Sequence, residues 1–233
     1  HTATGSSCST KTSSPIGSSL QRDGDEWFGP ARATVGACNT PAGPESAIVV
    51  NEVMTSPNAA AGGDSWGEWL EVHNTGAMSV DLQGWTIASG GDTDHVIVTS
   101  VVVPAGGYAV LGNGWDPARN GGITPDYNYF TAGTTIELAS TDWLELRDAS
   151  GSVMDVVSWN SSAAVPGSSR ALRDAARNNS NAAGSNWGFS TTHFGDGDYG
   201  TPGAANGTLS DTPLAIPNRV SFVGRDFNDP LPV

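Results

Sequence analysis

The chain has 233 residues, carries 10 Lys and Arg against 24 Asp and Glu for a net charge of −14, and is charged at only 15% of its positions. That length suits one domain of roughly 150–200 residues with appendages, and the acidic balance repels a phosphate backbone, which makes nucleic acid an unlikely partner. The longest apolar run, VIVTSVVV at 96–103, falls well short of the eighteen or so residues of a spanning helix, so no membrane insertion is expected.

Residues 1–46 are rich in Ser, Thr, Gly and Pro and read as an extended arm. The arm opens without a signal-peptide pattern, so any leader is expected to have been removed already. It holds both cysteines of the chain, Cys8 and Cys38. Two cysteines fit one disulfide of an exported protein, although a pair of buried thiols would look the same.

From residue 47 onward strand signals dominate. AIVVNEVM at 47–54, EWLEVHN at 68–74, GWTIAS at 84–89, HVIVTSVVV at 95–103, GYAVLG at 107–112, TTIELAS at 134–140, DWLELRD at 142–148 and VMDVVSW at 153–159 are each bounded by turn-forming residues. PAGG at 104–107 is expected to turn one strand back on the next, as is DASGS at 148–152, whose Gly supplies a positive φ. In DWLELRD, Leu144 and Leu146 fall on one face and Trp143, Glu145 and Arg147 on the other, which predicts a strand with one side in water. Helical patterning is nearly absent. RALRDAARNN at 170–179 is the exception, with residues suited to one or two helical turns. Residues 207–233 contain TPLAIPN and FNDPLPV, where repeated prolines oppose regular pairing. Many short strands at this spacing predict an all-β sandwich or barrel.

An internal echo links the ends. PIGSSLQRD at 15–23, EWF at 26–28 and VGACN at 35–39 resemble VPGSSRALRD at 165–174, NWGF at 186–189 and TPGAAN at 201–206. The amino-terminal arm thus looks like the closing segment of a preceding copy.

The residues that could carry chemistry are few. In GEWLEVHN, strand alternation places Glu68, Leu70 and Val72 on one face and Trp69, Glu71 and His73 on the other. Glu71 beside His73 could act as an acid/base pair or as metal ligands, but a half-exposed strand with its polar face in water is the favoured reading. HExxH, CxxC and GxSxG are absent, and GDGDYG at 195–200 matches a phosphate-binding GxGxxG without the helix that such a site needs. Asp92 with Asp94, and Asp196 with Asp198, set carboxylates close together in Gly-rich loops, an arrangement suited to calcium as well as to ordinary tight turns. Among the eight tryptophans, Trp69, Trp85, Trp143 and Trp159 lie in strands and are expected to pack in the core or across neighbouring strands. Trp66 and Trp115, in Gly-rich loops, are the candidates for an exposed sugar-stacking platform.

The order AIVVNEVM, EWLEVHN, VDLQGWTIAS, VVVPAGGYAVLGN, TTIELASTDWLELRDASGSVMDVVSWN, NWG and YGTPGAAN resembles the lamin tail domain as it occurs in exported bacterial proteins. The resemblance runs over residues 47–206 and implies an immunoglobulin-like β-sandwich with no catalytic centre, flanked by extended arms at 1–46 and 207–233. On that reading Glu68, Glu71 and His73 are strand positions only. The chain is expected to be a secreted, non-catalytic module for binding, adhesion or assembly, with a protein or a cell-surface glycan as partner and the arms available for self-assembly. The rivals are an accessory domain of an exported hydrolase and a calcium-dependent carbohydrate-binding module.

Overall fold

The computed structural model describes residues 18–23, 26–32, 48–90, 92, 94–130 and 136–214. Cys8 and Cys38, and with them the expected disulfide, lie outside the described residues. The amino-terminal strands are β1 (Ser18–Asp23) and β2 (Glu26–Arg32), followed by β3 (Ile48–Met54), a single helical turn α1 (Asp64–Gly67), β4 (Trp69–Asn74), β5 (Val80–Asp81), β6 (Thr86–Ser89), β7 (His95–Val96) and β8 (Val102–Val103). The order continues through β9 (Tyr108–Gly112), β10 (Tyr127–Asn128), β11 (Asp142–Arg147), β12 (Val153–Trp159), β13 (Arg170–Leu172), β14 (Trp187–Ser190), β15 (His193–Phe194), β16 (Asp198–Tyr199) and β17 (Leu209–Ser210).

Two sheets form an immunoglobulin-like sandwich. The larger has the order β10-β9-β4-β3-β13-β14-β17 and the smaller β12-β11-β6-β7. All pairings within them are antiparallel except the short parallel contact of β10 with β9. The interior lies between the sheets. Val53, Leu70, Val72 and Leu111 of the larger meet Ile87, Leu144, Leu146, Val157 and Trp159 of the smaller in one apolar cluster. Burying each such aliphatic side chain contributes roughly 1.5–3 kcal/mol.

The alternation predicted for β11 holds, with Leu144 and Leu146 buried and Trp143 turned outward. Gly151, at φ 83°, turns β11 into β12 as expected.

Elsewhere the structure departs from the pattern. The stretch expected as one strand at 95–103 is broken into β7 and β8, which join different sheets. The PAGG turn connects strands that do not pair, since β8 pairs with β5 and β9 with β4 and β10. Ile136 and Leu138 are fully buried, yet residues 136–139 form no ladder. Arg170–Leu172 is a strand and the rest of RALRDAARNN is turn, so the expected helical turns do not form. Tertiary pairing overrides propensity here, because Ala171 lies between Glu52 of β3 and Gly188 of β14. The described start of the proline-rich tail is also part of the sandwich, with β17 pairing to β14.

The larger correction concerns the polar face of 68–74. It is not in water. The outer face of the larger sheet carries its own apolar cluster of Met54, Trp69, Val110 and Ile123, with Phe194 packed against it edge-on to Trp69. Loops 113–125 and 193–206 therefore cover a face that alternation assigned to solvent. Gly195, at φ 48°, permits that covering, because a Cβ there would sit 1.9 Å from the Gly121 carbonyl oxygen.

Candidate functional site: buried carboxylates beneath the closing loop

The most chemically loaded region lies on the covered face, around a bulge in β3. Its register against β4 runs Val50↔Val72 and then Glu52↔Glu71, which leaves Asn51 as the extra residue. The bulge turns Asn51 and Glu52 toward the segment Thr201–Asn206, and both are buried in the middle of an apolar strand.

Glu52 is fully buried and accepts hydrogen bonds from the Thr201 amide at 3.0 Å, the Thr201 hydroxyl at 2.7 Å and the Ser169 hydroxyl. Glu71, also fully buried, accepts from the Asn51 side-chain amide at 2.7 Å and from the Gly203 backbone amide at 2.5 Å. Asn206 completes the arrangement. Its side chain exchanges hydrogen bonds with that of Asn51 at 2.9 and 3.0 Å and donates to the Leu172 carbonyl at 2.8 Å.

Burial pushes the Glu52 carboxyl up to about 7 despite the bonds from Ser169 and Thr201. Burial, reinforced by neighbouring Glu52, pushes Glu71 up to about 8. Both groups are thus poised to hold a proton near neutrality. Their oxygens nonetheless face the chain's own amides and hydroxyls, so the arrangement acts as a latch that fixes the closing loop to the sheet.

Three further acids repeat the theme. Glu68 accepts from the Leu138 amide at 3.0 Å, and burial raises its carboxyl to about 8. Asp155 accepts from the Val50 amide at 2.6 Å and the Asn179 side chain at 2.7 Å, and burial raises it to about 6. Asp198 accepts from the Asn58 amide at 3.0 Å and the Ala59 amide at 3.1 Å.

The other residues singled out by sequence are dispersed. His73 does not join Glu71 as an acid/base pair; it stacks on Tyr108 with ring centroids 4.4 Å apart, and burial lowers its pKa. The four aspartates expected as calcium ligands have different neighbours. Asp92 accepts from the Glu137 amide at 2.9 Å, Asp94 pairs with Arg147 at 2.6 Å, Asp196 is exposed, and Asp198 turns inward as described. Among the described residues, no group of three or more His, Cys, Asp or Glu is arranged to hold a metal ion.

Trp115 is 60% exposed as expected, whereas Trp66 is half-buried, with the Arg119 guanidinium 3.7 Å above its ring and Phe130 beside it. Of the tryptophans assigned to strands, Trp69, Trp85 and Trp159 are buried and Trp143 is 40% exposed.

Sequence reasoning missed Asn51, Glu52, Ser169, Thr201 and Asn206. One signal was present: NE inside the apolar run IVVNEVM places two polar residues where a strand interior has no use for them unless they are paired.

The lamin tail domain family model matches residues 41–161, just over half of the chain. The chain belongs to the lamin tail domain family. No curated protein matches the sequence. The lamin tail match ends soon after β12, whereas the sandwich continues through β13, β14 and β17, which complete its larger sheet. The latch therefore joins the matched part, which supplies Asn51, Glu52 and Glu71, to the unmatched closing part, which supplies Ser169, Thr201, Gly203 and Asn206.

Proposed function

We propose that this lamin tail domain is a secreted, non-catalytic binding module whose recognition surface is the outer face of the smaller sheet. The observation that carries the proposal is an asymmetry of covering. Loops and a second apolar cluster seal the outer face of the larger sheet, whereas the outer face of the smaller sheet bears exposed Trp143, Val96 and Val153.

The register places Val153, Arg147, Thr86 and Val96 in one row across β12, β11, β6 and β7, with Trp143 further along β11 on the same side. Arg147 lies between Asp94 and Glu145 in that row's ion pairs, so an apolar, aromatic strip carries a charged centre. Exposed apolar surface rimmed by charge suits a protein or glycan partner. The buried carboxylates fit the same reading, because their oxygens are occupied in holding the fold.

Binding of the purified chain to cell-surface glycans and proteins is measured by Trp fluorescence and by surface immobilisation. Trp143→Ser is expected to weaken any such binding at least tenfold while leaving the melting temperature unchanged. Turnover of a phosphoester or glycoside by the purified chain, abolished by Glu71→Gln or His73→Ala, would replace this proposal with an enzymatic one.

A further inference from the structure

The hairpin β1–β2 pairs with no other strand among the described residues. A lone two-stranded ribbon is marginal in water and needs a surface to pack on. Its sequence indicates which surface. GSSLQRD at 17–23 repeats GSSRALRD at 167–174, the stretch that contains β13, and EWF at 26–28 repeats NWGF at 186–189 at the start of β14.

The folded backbone agrees with the repeat in forming a hairpin, although Arg22, which the repeat aligns with Arg173, stands opposite Trp27 in the place that Leu172 takes opposite Trp187. Both segments are antiparallel hairpins, with Arg22↔Trp27 and Gln21↔Phe28 in register in one, and Leu172↔Trp187 and Arg170↔Phe189 in the other.

Three of the side chains with which the carboxyl-terminal copy grips its sandwich recur in the amino-terminal sequence, whereas buried Arg170 and Leu172 do not. Ser169 donates to Glu52, Trp187 is buried in the main cluster and donates to the Asn179 carbonyl at 2.9 Å, and Asn206 pairs with Asn51. The corresponding residues are Ser19, Trp27 and Asn39 in GSSLQRD, EWF and VGACN. In this sandwich, however, the edge of β3 that would receive them is already paired to β13.

We infer that the β1–β2 hairpin is a second closing hairpin, fitted to complete another lamin tail sandwich whose β3-equivalent strand is open. The partner is a lamin tail body that presents an Asn–Glu bulge and a buried Glu on the neighbouring strand, as Asn51, Glu52 and Glu71 do here. The interaction adds a β-hairpin to a sheet edge, with backbone pairing supplying the affinity. Tandem or neighbouring lamin tail sandwiches are thereby linked, each closed by the hairpin of the next. This inference is independent of the ligand taken by the smaller sheet.

A double-mutant cycle in the full chain tests it. Ala171→Pro disrupts β13 where it pairs with both β3 and β14 and so opens the native edge. Trp27→Ser disables the spare hairpin. In the parent chain Trp27→Ser is expected to shift the melting temperature by less than about 2 °C. In the Ala171→Pro background the spare hairpin fills the open edge, a cooperative melt survives, and adding Trp27→Ser abolishes it. Sedimentation over a range of concentrations separates filling within one molecule from filling by a second copy. Equal effects of Trp27→Ser in both backgrounds, or no effect in either, would overturn the inference, as would an Ala171→Pro chain that is unfolded whether or not Trp27 is present.

Discussion

At the scale of single residues, the stability of this protein depends on acids that have been taken out of water. Asn206 is the clearest lever, since it satisfies Asn51 and the Leu172 carbonyl together. Asn206→Ala leaves those buried groups without partners, and urea denaturation is expected to show a loss of about 2–3 kcal/mol. The buried carboxyls also fix the sign of the pH dependence. Glu52, Glu68, Glu71 and Asp155 all titrate above their ordinary values, at about 7, 8, 8 and 6. Between the ordinary carboxyl range and pH 8 the unfolded chain has released these protons while the folded chain retains them, so stability falls as pH rises through that window. His73 and His95, lowered by burial, act in the opposite sense as pH falls below 6.5. The carboxyls carry the larger shifts, and denaturation midpoints are therefore expected to be higher at pH 5.5 than at pH 8. Glu71→Gln should flatten that slope; an unchanged slope would remove Glu71 as its source.

Among the elements, the loops that cover the larger sheet matter as much as the strands. Asp196 donates its amide to the Gly121 carbonyl at 3.0 Å, which fastens the turn between β15 and β16 to the loop before β10. Gly195→Ala drives a methyl group into that carbonyl oxygen and demands a positive φ from a residue with a Cβ. Loss of hydrogen-exchange protection at Asp196, and a destabilisation of about 1–3 kcal/mol, are the expected outcomes. β11 shows the opposite case. It was legible from sequence because one of its faces does meet solvent, so simple alternation applies. β4 was misread because its second face is covered by loops 113–125 and 193–206, which lie some forty to more than a hundred residues further along the chain and outside any local window.

For the molecule as a whole, closure is the controlling event. β13, β14 and β17 extend the larger sheet, and the segment after them seals its outer face. A chain ending at Ser190 would expose Trp69, Met54 and Val110 and leave Glu52 without its Thr201 partner and Glu71 without its Gly203 partner. It is expected to lose cooperative thermal unfolding and the near-ultraviolet circular dichroism of packed aromatics. A chain ending at Leu214 keeps every contact described above and should melt cooperatively; failure to do so would show that closure needs residues beyond the sandwich.

By itself the sequence determined the class of the fold, the family, the alternating faces of β11 and the repeat between the two ends. These follow from short-range patterning and from the order of motifs. Only the tertiary structure decided that Glu52, Glu68 and Glu71 are buried, that 95–103 divides between sheets and that RALRDAARNN begins as a strand. For the buried acids and for β13 a deciding partner is remote along the chain, whereas 95–103 is divided by the nearby strands β6 and β5. The desolvation of a carboxylate and the pairing of an edge strand depend on what covers them, and the covering segment is known only once the chain has closed.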